Sequence, residues 1–247
     1  MKILSIGGSG FVSGTLARIA KADGHDVSVV TRGKRPLPDG VTAITADRED
    51  QTAFADALVG TDDWDLVVDC IGYDPEDAEQ DVAVFRNRCK QLVFISTDFV
   101  FDPAIRKIPQ SEEADGYATE GYGGKKKLCE EILENADFGD SVWTVVRPCH
   151  IYGPGSKLGC LPKHGRDDGL IERIRKGEPL DLVGGGHFLQ QPIFAPDLCR
   201  LILSAAGNAD TFNRIFCTAG PDIIESRKFY DLVAIALGVP PAPINEI

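Results

Sequence analysis

Three residues of the sequence, Thr97, Tyr122 and Lys126, could together move a proton on and off an alcohol. Tyr122 and Lys126 are four positions apart in the stretch YGGKK, a spacing that places two side chains on one face of a helix. A phenol with its ordinary pKa of about 10 is a poor base at neutral pH, but a nearby ammonium favours the phenolate. Thr97, in STDFVF, offers a hydroxyl that could hold a substrate oxygen. The set predicts acid–base chemistry on a carbinol or carbonyl, although Thr97 could instead cap a turn.

A glycine-rich stretch near the start of the chain, GGSGFVSG, could cradle a phosphate. Gly7 would allow a tight turn, Gly10 would let the backbone approach a pyrophosphate, and a following helix would offer free N–H groups. The third glycine position of a dinucleotide fingerprint holds Ser13. The stretch therefore predicts a pyrophosphate-binding turn, with a strand-to-helix corner that binds nothing as the alternative.

The ends of the second and third predicted strands bear on the choice of dinucleotide. An acidic residue after the second strand would hold the ribose of NAD, whereas an arginine there suits the 2′-phosphate of NADP. Arg32, followed by Lys34 and Arg35, favours NADP over NAD, although a solvated basic loop is the alternative. Asp47, after the third strand, could reach the adenine amino group or could cap the next helix.

The elements that must position these residues alternate along the chain. Continuous apolar strands separated by helices are typical of a parallel sheet covered on both faces. We therefore predict an α/β fold, a doubly wound parallel sheet of the Rossmann type. The predicted strands are KILSI, VSVVT, VTAIT, DLVVDC, QLVFIS and VWTVVR, and the predicted helices cover residues 10–22, 75–85 and 125–133.

The composition of the chain changes after Pro148, where glycine and proline become dense over residues 153–186. Such loops can form a substrate region at the carboxyl ends of the strands, where open α/β sheets bind ligands. We predict an NAD(P)-binding Rossmann domain over residues 1–150 and a small loop-rich substrate lobe over residues 151–247, which includes returning Rossmann elements.

Composition and charge limit the partners. The net charge of −12 over 247 residues opposes binding to nucleic acid. Seven cysteines without a Cys-x-x-Cys pair indicate reduced thiols. No apolar run is long enough for a signal-peptide core or a membrane span. We expect a cytoplasmic protein with no membrane partner. We also expect no metal, because Cys149, His150, Cys160 and His164 do not form a zinc spacing.

Five motifs in this order resemble the extended and atypical short-chain dehydrogenase/reductase superfamily, in its NAD-dependent epimerase/dehydratase branch. They are GGSGFVSG, the DR pair at 47–48, FISTDFVF, YGGKK and RPCHIYGPG. Within that branch, GHDVSVVTRG and DCIGYDPED are similar to the chloroplast stem-loop-binding-like homologues. The likeness extends over most of the chain.

The resemblance implies a role for each matching residue. Tyr122 would be the general acid/base, Lys126 would bind the nicotinamide ribose and tune Tyr122, and Thr97 would hold the substrate oxygen. The implied cofactor-binding residues are Gly7, Gly10, Phe11, Val12, Arg32, Asp47, Arg48 and Lys126.

The function that follows is NAD(P)-dependent reduction or epimerisation of a carbonyl or carbinol, with a sugar nucleotide or related small molecule as substrate. Asp98 is followed by Phe99, where the sugar 4,6-dehydratases carry Asp-Glu, and this departure disfavours dehydration. The alternative is a non-catalytic dinucleotide- or RNA-binding member of the same fold.

Two further expectations concern assembly. The chain ends at Ile247, whereas family members usually continue further, so we expect a reduced substrate lobe or one that a partner chain completes. Helices around residues 76–87 and 122–134 could pair between subunits, so we expect a homodimer.

Overall fold

The computed structural model of the protein describes residues 1–61, 63–160 and 163–247. By its internal contacts the chain divides into two compact units, the first comprising Met1–Pro148 with Pro196–Thr218 and the second comprising Cys149–Ala195 with Ala219–Ile247. In chain order the elements are β1 (Lys2–Ile6), α1 (Phe11–Ala22), β2 (Asp26–Thr31), β3 (Thr42–Thr45), α2 (Gln51–Ala57), β4 (Trp64–Asp69), α3 (Pro75–Phe85), β5 (Cys89–Ile95), α4 (Gly121–Asn135), β6 (Val142–Pro148), β7 (Ile151–Tyr152), α5 (Leu170–Arg175), β8 (Leu180–Leu182), β9 (Leu189–Gln190), β10 (Ile193–Phe194), α6 (Ala195–Ala205), β11 (Arg214–Thr218), β12 (Ile224–Glu225), α7 (Ser226–Leu237) and β13 (Ile244–Glu246).

The first unit is built on a seven-stranded sheet in the order β11-β6-β5-β4-β1-β2-β3. Every paired strand in it runs parallel to its neighbour. The chain builds outward from β1 to β3, then crosses back to β4 on the other side of β1. Such a reversal opens a crevice at the carboxyl ends of β1 and β4, where ligands bind in doubly wound folds. The predicted fold class is confirmed.

The central strands form because their side chains are apolar on both faces. Ile3, Leu4 and Ile6 of β1 and Leu66 and Val67 of β4 are completely buried. Burial of each such side chain contributes about 1.5–3 kcal/mol. Helices from both sides complete the core, which includes Phe54, Phe85, Leu92, Phe94, Cys129, Leu133 and Trp143.

The structure also differs from the sequence-based expectations in the bounds of one helix, in a helix cap and in an additional strand of the sheet. Helix α4 begins at Gly121, four residues before the predicted start. The cap of α2 is Asp50, whose side chain accepts a hydrogen bond from the Ala53 N–H at 3.0 Å, so Asp47 does not cap this helix. Strand β11 was not predicted, and it forms the edge of the sheet beside β6.

The second unit consists of short strand pairs and two helices. β7 pairs with β10, β8 with β13, and β9 with β12. A small core joins Leu170 and Ile174 of α5 to Phe229 and Tyr230 of α7. The chain passes between the two units at Pro148 and returns to the first unit over residues 196–218.

The sequence also predicted no membrane span. Among the described residues, no helix is both long and apolar enough to cross a membrane.

Candidate active site

The turn between β1 and α1 requires glycine at two neighbouring positions. Gly7 has a φ of +86°, and its N–H donates to the Val30 carbonyl at 2.9 Å. A Cβ on Gly7 would lie 2.8 Å from Cγ2 of Ile71, and one on Gly8 would lie 2.5 Å from Cβ of Val29. The backbone of this turn is therefore pressed against β2 and against the residues that follow β4. Sequence reasoning had not singled out Gly8, although it follows Gly7 directly.

Ser13 takes part in the same turn. Gly10 precedes α1 in an extended conformation, and its N–H donates to Oγ of the buried Ser13 at 3.0 Å. Phe11 and Val12 are the first two residues of α1, where N–H groups have no partner within the helix. The irregular third position of the glycine fingerprint thus ties the turn to the helix and leaves amides of the first helical turn available to an anion.

Arg32 and Asp47, predicted near the adenosine end, are close together. Nη1 of Arg32 lies 3.9 Å from Oδ2 of Asp47, and both side chains are about half exposed (53% and 44%). Arg32 directly follows β2, and Asp47 comes two residues after β3. The Arg32 and Asp47 side chains could therefore contact the same ligand.

Arg48 does not join them. Its guanidinium donates to Oδ2 of Asp69 at 2.7 Å and to Oδ1 of Asp81 at 3.1 Å, and its Nε lies 2.9 Å from Oδ1 of Asp77. Only 6% of the side chain is exposed. Carboxyl groups thus hold the charge of this side chain inside the protein, and the role of Arg48 in cofactor binding stays a prediction. Any contact of this residue with a dinucleotide would come from its backbone.

The titration of this cluster follows from its burial. Burial opposes charge on Arg48, but Asp69 and Asp81 outweigh that effect and raise the pKa of the guanidinium. Burial would also neutralise Asp69, yet the Arg48 charge holds the pKa of that carboxyl below its usual value. Burial and the neighbouring Asp69 raise the pKa of Asp81 well above its usual value. The Arg48 charge thus acts mainly on Asp69, whose pKa is lowered, while the pKa of Asp81 is raised.

Thr97 and Tyr122 are positioned by two elements that pack directly on each other. A short 3-10 turn over Asp98–Val100 follows β5, and the Thr97 hydroxyl caps it by accepting the Phe99 N–H at 3.2 Å. Helix α4 packs so closely on this turn that a Cβ on Gly123 would lie 2.0 Å from the Phe99 carbonyl oxygen. The rings of Phe99 and Tyr122 meet edge to face with 6.4 Å between centroids. Thr97 is buried and Tyr122 is about half exposed.

Lys126 lies one helical turn after Tyr122, and its side chain points into the protein. Its ammonium donates to the carbonyl oxygens of Gly72 and Ile95, the second at 2.7 Å, and lies 3.9 Å from the centroid of the Phe94 ring. Burial lowers the pKa of Lys126, and the charge of Asp69 opposes that shift. The ammonium is thus held where β4 and β5 end.

A second buried network on α4 was missed by the sequence analysis. Both oxygens of Glu130 bind Arg147, at 2.9 and 2.7 Å, and Oε1 also accepts the Ser96 hydroxyl at 2.6 Å. Burial opposes the charge of Arg147, but the bonds to Glu130 raise its pKa. Glu130 is four residues after Lys126, so the helical spacing that linked Tyr122 with Lys126 could have identified it.

The cysteines and histidines of the sequence do not converge. His164 binds Oδ2 of Asp167 through Nδ1 at 3.0 Å, and the Cys160 N–H donates to the Tyr230 hydroxyl at 2.9 Å. Within residues 1–61, 63–160 and 163–247, no cluster of three or more His, Cys, Asp or Glu side chains could hold a metal ion.

The comparison with family models bears on this geometry. The model of the NAD dependent epimerase/dehydratase family matches residues 3–216. The chain belongs to this family. The predicted superfamily relationship is thereby confirmed, and the match covers the glycine turn, the Thr97 turn and helix α4.

Curated relatives have diverged widely. The chain is 25% identical to the chloroplast stem-loop binding protein of 41 kDa b of Arabidopsis thaliana, over 97% of this chain and 64% of that protein. It is 28% identical to the 2'-dehydrokanamycin reductase of Streptomyces kanamyceticus, over 99% of this chain and 69% of that protein. It is 24% identical to the UDP-glucose 4-epimerase of Lactobacillus helveticus, over 76% of this chain and 62% of that protein. The chain thus spans about two thirds of the length of these relatives.

Solved structures agree on the fold. MoeE5 in complex with UDP-glucose and NAD matches with a TM-score of 0.77 at 19% identity, over 100% of this chain and 85% of that one. Pal from Bacillus thuringiensis matches with a TM-score of 0.80 at 20% identity, over 100% and 85% of the two chains. The UDP-glucose 4-epimerase of Thermotoga maritima matches with a TM-score of 0.77 at 19% identity, over 100% and 86%.

Proposed function

We propose that the protein is an NAD(P)-dependent oxidoreductase or epimerase that acts on a carbonyl or carbinol of a small molecule. The observation that carries the proposal is the packing of α4 on the turn after β5. It places the capping hydroxyl of Thr97 on one element and the Tyr122 phenol on the element that touches it. A hydroxyl and a phenol from two rigidly packed elements can hold and protonate one substrate oxygen.

The glycine turn fits a dinucleotide. Gly7 and Gly8 leave no room for a Cβ, so the backbone rather than side chains forms the surface of the turn. Gly10, Phe11 and Val12 would hold the pyrophosphate at the amino end of α1. When bound there, the dinucleotide would supply a hydride to the substrate carbon or accept one from it.

Tyr122 and Lys126 would perform the proton chemistry. Tyr122 would give its proton to the substrate oxygen in reduction and take one in oxidation. Lys126, one helical turn away, would supply a positive charge that favours the phenolate during the proton transfer. Thr97 would fix the oxygen by hydrogen bonding, and Lys126 would also meet the nicotinamide ribose.

We infer a sugar-related substrate from the relatives, which include a UDP-glucose 4-epimerase and a 2'-dehydrokanamycin reductase. Arg32 favours NADP, because its half-exposed guanidinium after β2 could meet a 2′-phosphate. Asp47 beside it could instead hold an adenine amino group. We further propose that the active form is a homodimer and that it works in the cytoplasm.

The first test is calorimetric titration of the full chain with NADP(H) and with NAD(H), followed by turnover assays on nucleotide sugars, aminoglycoside ketones and simple ketones. We expect micromolar binding of one dinucleotide and turnover of at least one substrate class. Tyr122→Phe should lower kcat by about 10²-fold or more and leave dinucleotide affinity unchanged, because it removes only the transferred proton. Arg32→Gln should weaken NADP binding by about tenfold and leave NAD binding in place.

The matched control is Tyr117→Phe. Tyr117 also lies beside the 3-10 turn, stacked on Phe101 at 6.0 Å between centroids, and its hydroxyl donates to the Glu112 carbonyl at 3.3 Å. This variant should keep its turnover. Equal losses in both variants would contradict the role of Tyr122. Binding of RNA without binding of either dinucleotide would favour the alternative function suggested by the name of the Arabidopsis relative, against which the net charge of −12 argues.

A further inference from the structure

The buried cluster of Arg48, Asp69, Asp77 and Asp81 has no role in the chemistry described above. We call it the Arg48 cluster. The side chains of Asp69 and Asp81 have no exposed surface, and that of Arg48 is 6% exposed. Ionised groups so deeply buried cost several kcal/mol of desolvation each, and replacing them with apolar residues often stabilises a protein. The cluster is therefore poorly explained by stability alone.

Asp69, the last residue of β4, is in contact with the turn that follows it. Oδ1 accepts the Ile71 N–H at 2.8 Å. A Cβ on Gly72 would lie 2.3 Å from Oδ2, so the carboxylate packs directly on the backbone of that glycine. Oδ2 is in turn held by Arg48 at 2.7 Å. The position of the Ile71–Gly72 turn is thus determined by an anion that Arg48 fixes from the other side.

The same turn receives Lys126. The carbonyl oxygen of Gly72 accepts a hydrogen bond from the ammonium, and Ile95, at the end of β5, provides the second acceptor at 2.7 Å. Contacts therefore run without a break from Arg48 through Asp69 and Gly72 to Lys126.

The charge of Asp69 also acts on Lys126. Burial lowers the pKa of Lys126, and among the groups that raise it again Asp69 has the largest effect. Burial and Asp69 raise the pKa of Asp81 well above its usual value, and the effect of Asp81 on Lys126 is smaller than that of Asp69. The titratable groups around the ammonium are Asp69 and Cys70 at the end of β4, Asp81 on α3, and Cys129 and Glu130 on α4.

We propose that Asp69, held by Arg48, is a positioning residue for Lys126. Asp69 holds in place the Gly72 carbonyl that accepts a hydrogen bond from Lys126, and it keeps the Lys126 side chain in its ammonium form. The inference rests on the proposed function in so far as Lys126 works beside Tyr122 there. It adds that a residue outside the Thr97, Tyr122 and Lys126 set controls the charge on which that set depends.

The test follows the titration of Lys126 by NMR in the full chain with 13C- and 15N-labelled lysine. The Lys126 signal is assigned by its absence in Lys126→Arg. In the wild-type protein we expect an ammonium at pH 7. In Asp69→Asn, which keeps the shape of the side chain and loses its charge, the midpoint of the Lys126 titration should fall by about one pH unit or more.

Two controls separate the proposed role from general damage. Asp65→Asn removes another carboxylate of β4, whose Oδ1 lies 2.6 Å from Nζ of Lys90. This variant should leave the midpoint of the Lys126 titration unchanged. Asp81→Asn, on α3, should shift the midpoint less than Asp69→Asn does, because Asp81 raises the pKa of Lys126 less than Asp69 does.

An unchanged midpoint in folded Asp69→Asn would overturn the proposal. If that variant does not fold, the wild-type measurement decides, since a neutral amine at pH 7 would equally overturn it. These signals need neither substrate nor dinucleotide. A protein without turnover would therefore count against the proposed function, whereas a shifted Lys126 titration would still support the role of Asp69.

Discussion

At the scale of single residues, helix α4 is anchored by one buried carboxylate. Glu130 is completely buried. Both of its carboxylate oxygens accept hydrogen bonds from the Arg147 guanidinium, and Oε1 also accepts one from the Ser96 hydroxyl. Ser96 is the neighbour of Thr97, and Glu130 shares its helix with Tyr122. The hydrogen bond between Glu130 and Ser96 thus links α4, which carries Tyr122, to the end of β5, which leads into Thr97.

Replacement of Glu130 should be costly. In Glu130→Gln, Arg147 remains buried, 1% exposed, without its anion, so we expect the free energy of unfolding to fall by about 3–5 kcal/mol. Urea denaturation measures it. The matched control is Glu131→Gln, at the next residue of the helix, where the side chain is 49% exposed. This variant should change stability by less than about 0.5 kcal/mol. Similar losses in both would mean that the network contributes no more than a surface charge.

Sequence reasoning identified residues by type and spacing but could not see which charges the fold buries. Tyr122 and Lys126 were found from their helical spacing, and the structure places them on one helix. Arg48 was assigned to the cofactor by the family resemblance, as part of the DR pair at 47–48. Only the fold shows that three carboxyl groups from β4 and α3 surround it, because those residues are distant in sequence.

At the scale of elements, the contact between α4 and the Thr97 turn depends on glycine. Gly123 is the third residue of α4, and glycine is less favourable than alanine in a helix. The Phe99 carbonyl occupies the place that a Cβ would take, 2.0 Å away. Close packing of the two elements is therefore obtained at the expense of helix propensity, which also explains why the sequence indicated a later start for α4.

Gly123→Ala should separate the two elements. Because the clash is with backbone, either α4 or the turn must shift, so we expect a loss of about 1–3 kcal/mol in stability and a larger loss in kcat. Thermal unfolding and turnover would show both.

The matched control is Gly14→Ala in α1, where a Cβ would meet its nearest neighbour at an ordinary 3.6 Å. This change should be neutral or stabilising by up to about 1 kcal/mol. An unaffected Gly123→Ala protein would contradict the close approach of α4.

Five of the six predicted strands, β1, β2, β4, β5 and β6, lie inside the sheet and are continuous, largely buried apolar runs. The sixth, β3, lies at one edge and is mostly exposed, but its stretch VTAIT is rich in β-branched residues. β11 forms the other edge, and its short apolar run of Ile215, Phe216 and Cys217 is only partly buried and has a single β-branched residue, so it did not stand out in the sequence.

At the scale of the whole molecule, the buried acid of the Arg48 cluster makes stability depend on pH. The pKa of Asp81 is raised in the folded protein by burial and by Asp69. A group with a raised folded pKa contributes stability that is complete below its unfolded pKa of about 4 and is lost as the pH rises towards the folded value. The folded protein must retain a proton there that the unfolded chain releases.

Asp81→Asn should remove this penalty. The amide keeps an acceptor for Arg48 and a donor for Asp69, so we expect the variant to gain about 1–3 kcal/mol more stability at pH 7.5 than at pH 5, relative to wild type. Denaturant unfolding at the two pH values measures the difference. Asp197→Asn, at an exposed carboxylate paired with Arg200, should show no such dependence. Equal gains at both pH values would mean that Asp81 is ionised in the folded protein.

The discontinuous course of the first unit also bears on how the protein is made. β11 closes the edge of the sheet beside β6, yet the segment 149–195 of the second unit comes between them in the chain. During synthesis, β6 therefore has an unpaired edge until residues 214–218 have left the ribosome. A fragment ending at residue 150 would retain that open edge permanently, together with the unpaired backbone groups that promote association between chains. The first unit of this protein is consequently not a contiguous N-terminal module, and attempts to express it alone should include residues through Thr218.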